Sequence, residues 1–282
     1  PDKPVHVEFF GSTEKIIEEK TTLVLALKKD GLLILNHDDE KVYALHHRSK
    51  CRTVSFGSNE LATYRSIYED LLYKKHNGVE IPDGITFKLE YNGNTFPVML
   101  PHVLGMHFIS SVLVALAVAN EIGCDLLNSI KAVEEYTTPP GRLTFIEGIN
   151  NSIIIDDTYN SSPVAMEAAL EVLKTIKGKH HIAVLGDMLE LGKWTEEAHR
   201  EIGEKIKGVA NTLVVVGLRA KSIALGAESV GFNKKEIYHF DSSITAGKFL
   251  AGVLKEGDVV LLKGSQGVRL ERAILPIMAH PE

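Results

Sequence analysis

The apolar positions of this chain follow one rhythm before about residue 140 and another after it. In the first half, residues 5–10 alternate loosely enough for a strand that puts His6 and Glu8 on one side. Ser12, Glu14 and the spacing of Ile16, Ile17 and Leu23 predict an N-capped helix carrying Lys15 and Lys20. Residues 31–36 and 53–56 predict two more strands. Between 79 and 100, three strand-like runs are separated by Pro82-Asp83-Gly84 and Asn92-Gly93-Asn94, both hairpin turn signals, so a small antiparallel sheet is expected. Residues 108–122 are nearly continuous Ala, Val, Leu and Ile, which predicts a long helix buried on most sides, with His107 capping or packing at its start.

The second half is more regular. Strands are predicted at 152–155, 181–185, 212–216, 237–240 and 259–262, with helices at 162–176, 196–209, 220–230, 244–254 and 268–278 between and after them. Short apolar strands alternating with amphipathic helices imply a mostly parallel sheet covered on both faces. The fold class expected is therefore α/β, ending in a Rossmann-like domain. The junction lies at Pro139-Pro140-Gly141, where two prolines forbid helix and a glycine lets the backbone turn. The expected domains are 1–140 and 141–282, moving as separate bodies about residues 138–141.

Composition narrows the partners. With 282 residues, 44% apolar, 24% charged and a net charge of -6 with no basic block, the sequence has no nucleic-acid signature. Cys51 and Cys124 stand far apart with no second cysteine or histidine at metal-ligand spacing, which suits a reducing cytoplasm. No apolar run of 18 residues occurs, so membrane insertion is not expected. Pro1 opens the chain without an initiator methionine, and a longer protein is expected around it.

Candidate chemistry gathers where predicted strands end. Asp156-Asp157-Thr158-Tyr159-Asn160, Gly186-Asp187-Met188-Leu189-Glu190-Leu191-Gly192 and Lys263-Gly264-Ser265-Gln266-Gly267 each follow a strand. Open α/β sheets bind ligands at that end, so Asp157, Asp187 and Lys263 are expected to converge. Turn chemistry explains each loop equally well on pattern alone: glycine supplies positive φ, aspartate an Asx turn or a helix cap.

These segments, in this order, with Pro139-Pro140-Gly141-Arg142-Leu143 before them, resemble the carboxy-terminal domain of the Mur ligases. Upstream, Val5-His6-Val7-Glu8-Phe9-Phe10-Gly11-Ser12 and Leu35-Asn36-His37-Asp38-Asp39 are similar to segments of the family's central ATPase domain. The resemblance implies that residues 1–140 are the rear part of that ATPase domain, with its small antiparallel sheet. No G-x-x-x-x-G-K-[ST] phosphate loop occurs in the 282 residues, and the family's amino-terminal UDP-sugar domain has no counterpart, so an amino-terminal part of the same protein is an expected partner. His107-Phe108-Ile109, Thr22 and Gln266 depart from the family's pattern.

The chemistry implied is amide-bond formation in peptidoglycan precursor synthesis. ATP phosphorylates a substrate carboxylate, and an amine displaces phosphate from the acyl phosphate. The implied substrates are a UDP-N-acetylmuramoyl peptide and D-alanyl-D-alanine, with ATP and Mg²⁺ as cofactors. By resemblance His6 would ligate Mg²⁺, and Lys20 aligns with a lysine that is carbamylated in the family. Asn36 would hydrogen-bond adenine, Arg142 would lie on the nucleotide, and Asp157 would accept from the ribose hydroxyls. Tyr159, Asn160, Asp187, Lys263 and Ser265 would face the incoming dipeptide and the acyl phosphate. As ligand groups, Arg142 and Asp157 are expected to be solvent-accessible and unpaired. Two other readings fit the same residues: a related ligase with a different amine substrate, and a non-catalytic nucleotide-binding module.

Overall fold

The protein is described here from a computed structural model covering residues 12–76 and 79–280. The strand expected at 5–10, with His6, lies outside the described residues. The fold is mixed α/β with two sheets. Compactness divides the chain into two units, one of Phe10–Leu72 with Asp83–Thr137, the other containing everything from Thr138 onward.

In the first unit the expected helix forms as α1 (Thr13–Ala26), and Ser12 caps it by accepting from the Lys15 N–H. A five-stranded sheet follows in the order β1 (Leu32–Asn36), β2 (Arg52–Gly57), β3 (Tyr64–His76), β4 (Val79–Tyr91), β5 (Asn94–Pro101), with a one-turn helix α2 (Glu40–Tyr43) after β1. β1, β2 and β3 pair in parallel, and β4 and β5 form an antiparallel hairpin. Asn92 and Gly93, at φ 49° and 73°, make the tight turn the sequence announces.

The other turn signal misleads. Pro82-Asp83-Gly84 lies inside β4, and a Cβ on Gly84 would strike the Leu100 carbonyl of β5. The glycine is there for a close backbone approach, not for a reversal of the chain. β3 was not anticipated, because its residues mix tyrosines with charges and Tyr68, at φ 53°, interrupts the alternation.

The apolar helix α3 (Phe108–Glu121) buries Ile109, Val112, Leu113, Leu116 and Ala117 against Ile85, Phe87, Leu89, Val98 and Leu100 of the hairpin. At its end Asn120 donates to the Tyr64 and Tyr91 hydroxyls, and Tyr64 donates to Glu121. Burial pushes the Tyr64 phenol up to about 12. Helix α4 (Leu126–Glu134) turns Glu134 to the Met99 N–H of the edge strand β5.

The second unit is a six-stranded sheet in the order β10-β9-β8-β11-β7-β6, namely β6 (Thr144–Glu147), β7 (Ile153–Asp157), β8 (His180–Gly186), β9 (Thr212–Val216), β10 (Ile237–Phe240) and β11 (Asp258–Lys263). All pairings are parallel except β6 with β7. Helices α5 (Pro163–Thr175), α6 (Thr195–Glu204) and α7 (Lys221–Ser229) pack in sequence, with α5 on β8 and β11 and α7 on β9. Helices α8 (Ser243–Val253) and α9 (Glu271–Ile274) pack together and bury Ala246, Leu250 and Ile274 with Ile154, Val184, Val214, Val260 and Leu262.

Two predicted helices are shorter than their apolar pattern. α6 stops at Glu204, and Ile206 turns in to be buried. The final helix is broken into a 3-10 turn at Gln266–Val268, α9, and a second 3-10 turn at Leu275–Ile277, because Arg269 adopts φ 57° and Pro276 removes a donor. The edge strand β6 was not anticipated either.

The contact between α6 and α7 depends on glycine. A Cβ on Gly203 would run into the Ile223 carbonyl, whereas one on Gly252, in α8, would meet nothing within 4 Å. Gly203→Ala is therefore expected to destabilise the unit by about 1–3 kcal/mol, and Gly252→Ala to stabilise it by roughly 0.5–1 kcal/mol. Denaturant unfolding of the two variants checks both signs.

Candidate active site

β7 connects through α5 to β8, while β11 leads to α9 among the helices of the α8 side. Adjacent strands thus send their chains to opposite faces at the carboxyl end of β11, which is where doubly wound sheets open a crevice. The loops after β7, β8 and β11 meet there.

β7 delivers its two carboxylates to different places. Successive residues of a strand face opposite sides. Ile154 belongs to the core under α8 and α9, so Asp156 shares that side and Asp157 turns to the other. Asp157 stands in register with Lys263, and the Lys263 ammonium donates to its Oδ2 at 2.5 Å and to the Asn160 carbonyl at 2.9 Å. Lys263 is 2% exposed and Asp157 9%. The expectation that Asp157 would stand accessible and unpaired is not met, because a buried lysine beside it requires a partner. Burial pushes Lys263 below its ordinary value, while Asp157 pulls the other way.

Asp156 instead lines a cavity of about 650 Å³ together with Gly141, Thr158, Tyr159, Gln266 and Arg269. Its Oδ1 accepts from the Thr158 N–H at 3.1 Å and the Thr158 hydroxyl at 2.7 Å. Burial raises its carboxyl above the ordinary value, against the lowering effect of the Thr158 hydrogen bonds. Nothing in the sequence separated Asp156 from Asp157 except strand parity.

The junction closes on the same loop. Tyr159 donates its N–H to the Gly141 carbonyl at 3.0 Å, and a Cβ on Gly141, whose φ is +76°, would press on the Tyr159 N at 3.0 Å. Arg142 is exposed and lies with its guanidinium 4.4 Å from the centroid of the half-exposed Tyr159 ring. The Asn160 side chain is exposed and accepts from the Ser161 N–H.

The loop after β8 is held from within. Asp187 accepts from the Ala220 N–H at 2.7 Å and lies 3.6 Å from Arg219, so its carboxylate is directed to the start of α7. The Ser265 hydroxyl accepts from the Leu189 N–H at 3.0 Å, and the Ser265 N–H donates to the Asp187 carbonyl. Both side chains are buried. Of the three residues expected to converge, Asp157 and Lys263 meet through their side chains, and Asp187 joins through its backbone. His199, which no sequence signal marked, is fully buried; its Nε2 accepts from the Met188 N–H and its Nδ1 donates to the Thr195 carbonyl.

In the first unit, Asn36 is half-buried at the end of β1, with Oδ1 accepting from the Asp38 N–H. Lys20 is exposed on α1. Among the described residues no three His, Cys, Asp or Glu side chains are grouped to hold a metal ion, and His6 lies outside them.

Comparison with known proteins fits this architecture. Residues 3–119 match the Mur ligase middle domain, and residues 141–266 the domain described as Mur ligase, glutamate ligase domain. The chain belongs to the Mur ligase family. It is 29% identical, over 98% of its length, to the UDP-N-acetylmuramoyl-tripeptide–D-alanyl-D-alanine ligase of Bacillus subtilis, and 28% identical, over 95%, to that of Escherichia coli. A crystal structure of a MurF ligase from Thermotoga maritima in complex with ADP superposes with a TM-score of 0.78 at 28% identity, covering 95% of this chain and 58% of that one. The chain spans 57% of each of the two curated relatives.

Two outcomes test this geometry. Lys263→Met leaves a buried carboxylate without its cation and is expected to cost about 3–5 kcal/mol of stability, most of it recovered by the double change Lys263→Met, Asp157→Asn. Urea unfolding of the single and double variants decides this. His199 has its folded-state value lowered from 6.5 by burial. Above that value it is neutral folded and unfolded, so its contribution is complete; below it only the unfolded chain takes up the proton, and stability is lost as pH falls toward the folded value. Melting temperatures measured from about pH 7 to about pH 5 are expected to fall, and to fall less in His199→Gln.

Proposed function

We propose that this chain is the rear part of an ATP-dependent amide ligase that adds D-alanyl-D-alanine to a UDP-N-acetylmuramoyl tripeptide, in a cytoplasmic step of peptidoglycan precursor synthesis. The observation that carries the reading is the match to ligases of that name across nearly the whole chain, at 28–29% identity in the two relatives named above. The cavity at the carboxyl end of the second sheet supports it, since a pocket lined by Asp156, Thr158, Gln266 and Arg269 and bordered by an exposed arginine–tyrosine stack suits a nucleotide.

ATP, when bound, supplies the phosphoryl group that activates the substrate carboxylate for attack by an amine. On this reading Arg142 is the nucleotide contact of the second unit and Asn36 that of the first. Asp156 is the carboxylate at the cavity wall. Asp157, held by Lys263, fixes the loop carrying Tyr159 and Asn160, while Ser265 and Asp187 fix the loop after β8. Tyr159 and Asn160 are the exposed members left to face the amine substrate. Mg²⁺ would be held with the help of His6, which lies outside the described residues. Domains 1–140 and 141–282 correspond on this proposal to the back of the ATPase domain and the whole carboxy-terminal domain.

The experiment is a phosphate-release assay on a protein carrying this chain behind an ATP phosphate loop. Release is expected to require the UDP-linked tripeptide and D-alanyl-D-alanine together; turnover with a different amine in place of the dipeptide would replace this reading by that of a related ligase. Arg142→Ala is expected to raise the KM for ATP about tenfold or more, as loss of a charge-assisted contact does. The 282-residue chain by itself is expected not to turn over ATP, and measurable turnover would overturn the reading that it lacks the phosphate loop.

A further inference from the structure

The α8 face of the second sheet is longer than the helix that covers it. Ile182, Val214 and Val260 are buried under α8 and α9, and side chains two residues back along a strand share the same side. His180, Thr212 and Asp258 therefore stand on that face at the amino ends of β8, β9 and β11, the end of the sheet away from Asp157 and Lys263. α8 stops at Val253, and a cavity of about 460 Å³ opens over these residues, walled by Phe249 of α8 and Tyr238 of β10. The two rings lie 4.5 Å apart between centroids. A volume of this size suits a small molecule.

The polar groups of the cavity are mainly acceptors. The Thr212 hydroxyl donates to Glu236 Oε2 at 3.1 Å, because a carboxylate can only accept, so it must in turn accept from His180 Nε2 at 2.9 Å. His180 thus carries its proton on Nε2 and, when neutral, presents Nδ1 as an acceptor with no partner among the described residues. Asp258 is 4% exposed, and among the described residues its carboxylate receives one hydrogen bond, from the Lys255 N–H to Oδ2 at 2.8 Å. The last turn of α8 holds no basic residue to offset the negative end of this 11-residue helix. Lys179 and Lys255 line the cavity as exposed side chains, and Lys179 lies 3.7 Å from Glu256.

We propose that this cavity binds a small organic cation, a primary ammonium carried on an apolar or aromatic frame. An ammonium has three donors for the acceptor capacity left open at His180, Glu236 and Asp258. Its frame lies against Tyr238 and Phe249, whose ring faces also attract a cation. A carboxylate as buried as Asp258 is costly without an opposite charge, and a bound cation offsets that cost. The site is at the opposite end of the sheet from the loops after β7, β8 and β11, and it stands or falls independently of the ligase reading.

The chain, isotopically labelled, is titrated at about pH 8, where an ordinary histidine is neutral, with phenethylamine, phenethyl alcohol and phenylacetate in turn. Phenethylamine is expected to shift the amide signals of His180, Thr212 and Tyr238 and to leave those of Thr158 and Tyr159 in place. The alcohol is expected to bind about tenfold more weakly or worse, and phenylacetate not at all. Glu236→Gln keeps an acceptor for the Thr212 hydroxyl; it is expected to hold its melting temperature and to lose about tenfold in affinity for the amine and little for the alcohol. Should that variant not fold, the three ligands compared on the parent chain decide alone. Equal binding of amine and alcohol, preference for phenylacetate, shifts confined to other residues, no shift at millimolar amine, or a folded Glu236→Gln variant that binds the amine like the parent would overturn the proposal.

Discussion

The buried pair of Lys263 and Asp157 is the constraint around which the second unit's ligand end is arranged. It joins the last residues of two parallel strands in register, and its second hydrogen bond, to the Asn160 carbonyl, reaches from the sheet into the loop above. A lysine 2% exposed would be expelled from this position without a carboxylate partner. The pair contributes little net stability over an apolar equivalent, because desolvating two charges offsets most of their attraction. What it supplies is a fixed position: a loop of small polar residues is tied to the rigid end of the sheet. Catalytic geometry needs that kind of support, since errors of an ångström in placing a reacting group are costly.

A second set of ties makes the neighbouring loop equally definite. Ser265 holds Leu189, the Asp187 carbonyl holds Ser265, and the Asp187 carboxylate holds the start of α7. Gly217 is part of the same arrangement, for a Cβ there would collide with the Asp187 carboxylate. The motif Gly-Asp-Met-Leu-Glu-Leu-Gly is thus largely a piece of construction: Met188 and Leu191 are core residues, and His199 accepts from the Met188 N–H. A sequence-specific loop need not touch a ligand to be specific.

This explains how the site was legible and where it was not. Alternation of apolar strands and helices gave the second sheet, and the carboxyl ends of β7, β8 and β11 pointed to loops that the structure brings together. Elements whose identity rests on tertiary contact escaped: β3, whose alternation is interrupted at Tyr68, β6 at the sheet edge, and the turn that Gly84 does not make because β5 passes against it. Within the loops, residue type alone could not tell an aspartate that lines the cavity from one that is paired with a lysine. Asp156 and Asp157 are chemically identical neighbours, and only the direction of the pleat and the presence of Lys263 across the register separate them. His199 carried no signal at all, being one polar residue in a helix whose buried face is otherwise Ala198, Ile202 and Gly203.

The distinction between satisfied and unsatisfied groups therefore carries more functional information than charge or motif membership. Asp187 and Ser265 have protein partners for their side chains and can hold a shape without any ligand. Arg142 and Tyr159 face solvent and satisfy each other only through a stack, which is worth roughly 0.5–1 kcal/mol at an exposed site and is readily exchanged for a contact with a flat or anionic group. Such a weak pairing keeps both side chains in place and leaves most of their hydrogen-bonding capacity unspent. The same unit thus places strongly paired groups underneath, where they fix the loops, and weakly paired groups at the surface, where a ligand can displace one partner at little cost.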